Sequence, residues 1–235
     1  MWAALALAAL SASSCLIRIN EKALWEDYHT HSVKANGDLV TQIRPLDEAV
    51  RFYRHLGSGD FVFVQRDTTP YLEVTASENI ISYFYPEFSL PDGMLTCRFS
   101  SDSVANVIQG YVKIVLYAPD LEGIELIGSG DALVEGLVRP GDFSAVVTGS
   151  GDMHLKGLEC DNLNVSVAGS GDVEIVVNAR GMVEAGIAGS GDIRLIGSAD
   201  RAKFSVAGSG DINARGLKVA NDVSSSTRGS GDIKL

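Results

Sequence analysis

Residues 163–176 read LNVSVAGSGDVEIV, and this stretch holds the pattern that decides the fold. Apolar residues alternate with polar or small ones on both sides of the tetrapeptide Gly169-Ser170-Gly171-Asp172. A period of two is typical of a β-strand with one buried face. Glycine permits a positive backbone φ, and Ser and Asp side chains bond nearby backbone N–H groups in tight turns. The stretch therefore predicts two short strands joined at a sharp corner.

The same tetrapeptide occurs seven times in the 235 residues, so the corner belongs to a repeat. From the second copy onward, the copies begin 21, 20, 20, 19 and 21 residues apart. A near-constant period of this size is typical of a solenoid. No 3.6-residue period runs through the repeat, which argues against leucine-rich and helical solenoids. The copies begin at Gly57, Gly128, Gly149, Gly169, Gly189, Gly208 and Gly229.

The repeat predicts an all-β parallel β-helix, in which coils of about 20 residues stack at the strand spacing of about 4.8 Å. The alternating apolar residues would form one continuous buried column. We expect a positive φ at both glycines of each corner, because the chain reverses direction there. The predicted corner glycines of the regular repeats are Gly128, Gly130, Gly149, Gly151, Gly169, Gly171, Gly189, Gly191, Gly208, Gly210, Gly229 and Gly231.

The chain divides into four predicted segments. Residues 1–15 are a signal or lipoprotein-type segment, and residues 16–35 are a charged, aperiodic tether. Residues 36–127 are β-rich runs separated by turn residues, which we interpret as an irregular start of the same solenoid. Residues 128–235 hold the regular coils.

The N-terminus predicts export. No charge precedes Arg18, and Ala3 to Leu10 form an apolar run too short to span a bilayer. Ala12-Ser13-Ser14-Cys15 is similar to a bacterial lipoprotein box, in which Cys15 would carry the lipid. An ordinary cleaved signal and a buried apolar strand are the alternatives. Export would place the protein in the periplasm, in the outer membrane or on the cell surface.

Composition and motifs exclude several function classes. The formal net charge is −11, so general nucleic-acid binding is not expected. The chain has neither a nucleophile-elbow frame nor a phosphate loop. No catalytic residue and no cofactor are therefore assigned. Cys97 and Cys160 could form one disulfide in an oxidising compartment, or they could be two buried thiols.

The corner aspartates raise the question of a metal. Stacked coils would place one carboxylate per coil in a column, where like charges raise one another's pKa. Calcium or partial protonation could relieve this repulsion. The alternative is that each carboxylate bonds backbone donors at its own corner, since one Asp per coil supplies few of the oxygens that calcium needs. The column contains Asp131, Asp152, Asp172, Asp192, Asp211 and Asp232.

Other polar residues have simpler interpretations. His29 and His31 lie in the tether, where a mobile polar segment explains them as well as a metal site does. Glu174, Arg194 and Arg215 fall at similar offsets on neighbouring coils. They could serve a carbohydrate-active enzyme, or they could be solubilising charges on an exposed sheet.

The repeats, preceded by residues 112–126, resemble the bacterial GIN-domain family, which is labelled as a head domain of auto-transporter adhesins. The stretches from Gly37 to Val74 and from Ser77 to Ile81 are also similar, so the resemblance covers roughly residues 37–235. It implies a right-handed β-helix on an exported, often lipid-anchored, envelope protein. It implies no catalytic site.

We therefore expect a non-enzymatic envelope protein whose β-helix binds a protein or a glycan. One alternative is a polysaccharide lyase or hydrolase on the same scaffold. Another is a structural spacer that assembles through the open last coil, because open solenoid ends tend to pair.

Overall fold

The structure is a computed structural model that describes residues 32–89, 91–99, 106–108 and 110–235. The predictions for Cys15, His29 and His31 lie outside the described residues. Strands account for 66% of the structure, so the predicted all-β class is confirmed. A short 3₁₀ helix covers Ile81–Tyr83.

The strands follow one another along the chain with short connections. They are β1 Ser32–Lys34, β2 Leu39–Pro45, β3 Phe52–Gly57, β4 Asp60–Gln65, β5 Tyr71–Ser77, β6 Phe84–Ser89, β7 Met94–Phe99, β8 Asn106–Ile108, β9 Val112–Ala118, β10 Gly123–Gly128, β11 Ala132–Glu135, β12 Phe143–Gly149, β13 Met153–Cys160, β14 Leu163–Gly169, β15 Val173–Ala179, β16 Met182–Gly189, β17 Ile193–Ala199, β18 Arg201–Gly208, β19 Ile212–Val219, β20 Val223–Gly229 and β21 Ile233–Lys234.

Two large sheets face each other across one core. The nine-stranded sheet has the order β20-β18-β16-β14-β12-β10-β3-β7-β6, and the ten-stranded sheet has the order β2-β5-β9-β4-β11-β13-β15-β17-β19-β21. Each regular coil contributes one strand to each sheet, and the Gly-Ser-Gly-Asp corner joins the two strands. The predicted stack of parallel coils is confirmed, with about six turns from β10 to β21.

The first corner lies directly beside the second, although they are 71 residues apart in sequence. Gly57 of β3 pairs in register with Gly128 of β10, as Gly128 pairs with Gly149 of β12. The intervening chain extends both sheets in the other direction, because β7 pairs with β3 and β9 pairs with β4, in parallel. The long interval is therefore an insertion that leaves the stack of corners unbroken.

The two ends of the stack differ. At one end, β2 and β6 are antiparallel edge strands that contain Pro45 and Pro86, and proline blocks further pairing. At the other end, all seven residues of β20 are exposed. Association of copies through this last coil stays a prediction.

A single apolar cluster runs through the stack from Val50 to Leu217. The alternating residues of the regular coils point into it, as the period of two predicted. Three of its largest members, Tyr53, Phe61 and Phe63, lie on β3 and β4 next to the insertion, where Tyr53 stacks on Phe61 with ring centroids 3.6 Å apart. His55 is also fully buried there and is the register partner of Cys97.

Candidate binding site

The first glycine of each corner has a φ between 131° and 151°, in the region that favours glycine. At most corners its carbonyl accepts two N–H groups from the next coil. Ser190 N donates to Gly169 O at 2.8 Å, and Gly191 N donates to the same oxygen at 3.2 Å. The corners are therefore bonded to one another along the stack.

The second glycine differs from the expectation, because its φ is not positive. A Cβ on Gly191 would lie 2.0 Å from the carbonyl oxygen of Gly171 in the preceding coil. This position requires glycine because the neighbouring backbone approaches so closely.

The corner aspartates form a hydrogen-bonded ladder. The Oδ1 atom of each accepts the backbone N–H of the next corner aspartate at 2.7–2.9 Å from Asp131 to Asp232. The donor is therefore in the next coil. The alternative to calcium predicted instead that each carboxylate bonds a donor at its own corner. Lys234 and the Asp232 N–H hold the pKa of Asp211 below its usual value. No group of three or more His, Cys, Asp or Glu in the described ranges could hold a metal ion.

The predicted outward charges do not converge. Arg194 Nε lies 3.6 Å from Glu174 Oε1 across the ten-stranded sheet, and both side chains are about half exposed. Asn213, not Arg215, is the register partner of Arg194, and the register shifts directly afterwards. Only two of the three charges therefore meet, as an ordinary surface pair.

Cys97 and Cys160 are free and buried, on strands of different sheets. Burial raises the pKa of the Cys97 thiol to about 12 and that of Cys160 to about 11. Neither forms the reactive thiolate at neutral pH.

A shallow groove of about 460 Å³ runs along the outer face of the nine-stranded sheet, at the beginnings of its strands. It crosses β3, β10, β12, β14 and β16, which are consecutive in this sheet. We call this surface the strand-start groove. Its lining includes Phe52, Glu122, Asp142, Ser144, Asn164, Met182 and Glu184.

Ser144, Asn164 and Glu184 are register partners on β12, β14 and β16. They therefore present one polar side chain per coil, at the strand spacing of about 4.8 Å. Phe52 precedes this row, because its register partner Gly123 is the partner of Ser144. A Cβ on Gly123 would lie 2.9 Å from Phe52 Cδ1, so the glycine leaves room for the half-buried ring beside the row.

Hydrogen bonds hold the charged groups of the groove. Arg51 donates from Nε and Nη2 to the two oxygens of Glu122 at 2.8 and 2.6 Å. Lys203 Nζ donates to Glu184 at 2.7 Å. Asp142 Oδ1 accepts both the backbone N–H and the side-chain amide of Asn162, at 3.1 and 2.9 Å. These three carboxylates are thus positioned before any ligand arrives.

Residues 55–235 match the family model described as "Putative auto-transporter adhesin, head GIN domain". The match covers most of the chain and includes every Gly-Ser-Gly-Asp corner. The chain belongs to the GIN-domain family. The resemblance stated from the sequence is thereby confirmed.

Several solved structures have the same fold as this GIN domain. A putative adhesin from Parabacteroides distasonis is 25% identical, with a TM-score of 0.73, covering 86% of this chain and 83% of that chain. A putative lipid binding protein from the same species is 23% identical, with a TM-score of 0.72, covering 86% and 96%. A putative adhesin from Bacteroides fragilis is 21% identical, with a TM-score of 0.64, covering 86% and 99%. The last two show the fold alone.

A search of curated proteins finds no match to this GIN domain. None of the described residues forms a helix long and apolar enough to span a bilayer.

The strand-start groove was not found from the sequence, although a signal exists. Its row lies five positions before each corner motif, whereas the alternating apolar residues of these strands lie two and four positions before it. At this offset stand Phe52, Gly123, Ser144, Asn164, Glu184, Lys203 and Ser224. A column of mostly polar residues at a constant distance before the corner motif predicts a row of side chains on the outer face of the sheet in this GIN domain.

Proposed function

We propose that this protein is an exported envelope protein that binds a glycan or protein partner through the strand-start groove, without catalysis. Membership of an adhesin head-domain family supports a surface role, as does the adhesin-named neighbour at 25% identity. The observation that carries the proposal is the row of polar side chains in register, one per coil, along a groove on the outer sheet face.

The ion pairs of the groove support binding over hydrolysis. Glycoside hydrolysis uses one carboxylic acid as a proton donor and a second carboxylate opposite it. Glu122 and Glu184 each accept a hydrogen bond from a cationic side chain instead, so neither carboxylate is free to contact a glycosidic bond. These pairs suit a surface that recognises its partner and releases it unchanged.

Binding through the groove is tested with Asn164→Arg, which places a long charged side chain in the middle of the row. We expect saturable binding of the purified protein to bacterial or host cell surfaces, lost in this variant. Asn178→Arg is the matched control, because Asn178 is exposed on β15 of the opposite sheet. Equal binding by both variants would assign the interaction to another surface.

Export is tested separately by cell fractionation and by the mass of the mature N-terminus. We propose that Cys15 becomes the lipid-bearing first residue, so the protein should be found in a membrane fraction with an acylated Cys15. Cys15→Ser should leave an unprocessed precursor. A wild-type protein that keeps Met1 and stays in the cytoplasmic fraction contradicts export.

A further inference from the structure

We propose that the strand-start groove binds a neutral, linear oligosaccharide that lies along the stacking direction across β10, β12, β14 and β16, with its first ring on Phe52. This inference rests on the proposed binding function and names the class of ligand for the same site.

The spacing of the row suits a polymer. Ser144, Asn164 and Glu184 repeat at the strand spacing of about 4.8 Å, because parallel pairing keeps them in register. Linked pyranose rings in an extended chain repeat at a comparable distance. Successive sugar units would therefore contact polar side chains at the same strand position on successive coils.

The hydrogen-bonding groups suit hydroxyls, which both donate and accept. Asp142 and Glu184 accept, whereas the Asn164 amide and the Ser144 hydroxyl do both. An anionic ligand would be repelled by the carboxylate of Asp142, whose hydrogen bonds come from the neutral Asn162. A cationic peptide would find Glu122 and Glu184 already bonded to Arg51 and Lys203. A neutral ligand rich in hydroxyls fits this set best.

The apolar part of the groove lies where a sugar ring needs it. The Phe52 ring is half-buried beside Gly123, and the Arg51 guanidinium lies over it, 5.6 Å from its centroid. A sugar would pack on the part of the ring that Arg51 leaves exposed. The face of an aromatic ring is electronegative and attracts the positively polarised C–H bonds on one face of a pyranose. Met182, on β16, adds a second half-buried apolar surface at the far end of the row.

The ligand class is tested with neutral linear glucans, xylans and mannans of one to six units, measured by calorimetry against the purified full chain. We expect affinity to rise with length and level off at about four units, one on Phe52 and one for each of the three coils that carry Ser144, Asn164 and Glu184. Anionic oligosaccharides of equal length should bind more weakly. A plateau at one unit, or a preference for the anionic series, would overturn the proposal.

The site is tested with Phe52→Ala and Asn164→Ala, each expected to weaken the best oligosaccharide about tenfold or more, the effect of one lost contact. Asn178→Ala should bind like wild type, and circular dichroism checks that all three fold. Unchanged affinity in both groove variants would refute this site. If cell-surface binding depends on Asn164 while no oligosaccharide binds, the occupant is a protein: this inference fails and the proposed function stands.

Discussion

Gly191→Ala is expected to lower the free energy of unfolding by more than about 3 kcal/mol, among the largest effects of a single substitution. The added Cβ would lie 2.0 Å from Gly171 O and 2.9 Å from Gly171 C, both backbone atoms of the preceding coil. A backbone cannot yield as a flexible side chain does. The coils would have to separate, which stretches the hydrogen bond from Gly191 N to Gly169 O and those around it.

Gly141→Ala is the matched control, because nothing lies within 4 Å of a Cβ there and its φ is not positive. We expect a change within about 0.5 kcal/mol for this variant. Denaturant unfolding followed by circular dichroism measures both. A separate early transition in Gly191→Ala would show the coils beyond the substitution unfolding first, since each coil contacts only its neighbours. Equal midpoints for the two variants would contradict the close-approach explanation.

The second large effect is a loss of stability in mild acid caused by His55. Its side chain is only 2% exposed, its Nδ1 lies 3.2 Å from the Tyr53 hydroxyl, and its Nε2 is buried without a hydrogen-bond partner. Burial lowers the pKa of His55 to about 4, from about 6.5 in an unfolded chain. The imidazole is therefore neutral in the folded protein.

Between pH 6.5 and 4, the unfolded chain takes up a proton at His55 and the folded chain does not. The free energy of unfolding therefore falls as the pH falls through this window, by up to about 3 kcal/mol at pH 4. Above pH 6.5 both states are neutral at this residue, so it adds no pH dependence there.

His55→Leu isolates this effect, because the carboxylates titrate alike in both proteins. The variant has a similar volume, and the Tyr53 hydroxyl keeps its interaction with Cys97. We expect the stability difference between wild type and variant to change by up to about 3 kcal/mol from pH 7 to pH 4. A parallel decline in the two proteins would show that His55 does not cause the acid sensitivity.

The acid sensitivity and the binding site lie in different parts of the fold. His55 faces the core from β3, whereas Phe52, on the same strand, faces the strand-start groove. Protonation of His55 would therefore weaken binding by unfolding the strand that carries Phe52, and not through a contact with the ligand.

The period of two and the 20-residue interval are local properties of the sequence, and they determined the strands, the corners and the inward column. Residues such as Val165 and Val167 face the core because the alternation of apolar and polar residues in one coil repeats in the next. The same regularity makes the register between coils predictable, since any slip would turn the apolar side chains outward.

Only the tertiary structure decided which residues of different coils lie next to one another. The 71-residue interval conceals that Gly57 and Gly128 are neighbours, because an insertion folds onto the far side of β3 and β4. Arg215 misses Arg194 because the register shifts between β17 and β19. The second corner glycine is needed because a carbonyl oxygen of the preceding coil lies too close for a Cβ. The groove brings together Phe52 and Glu184, which are far apart in sequence. These features depend on distances between segments far apart in the chain, which a local pattern does not contain.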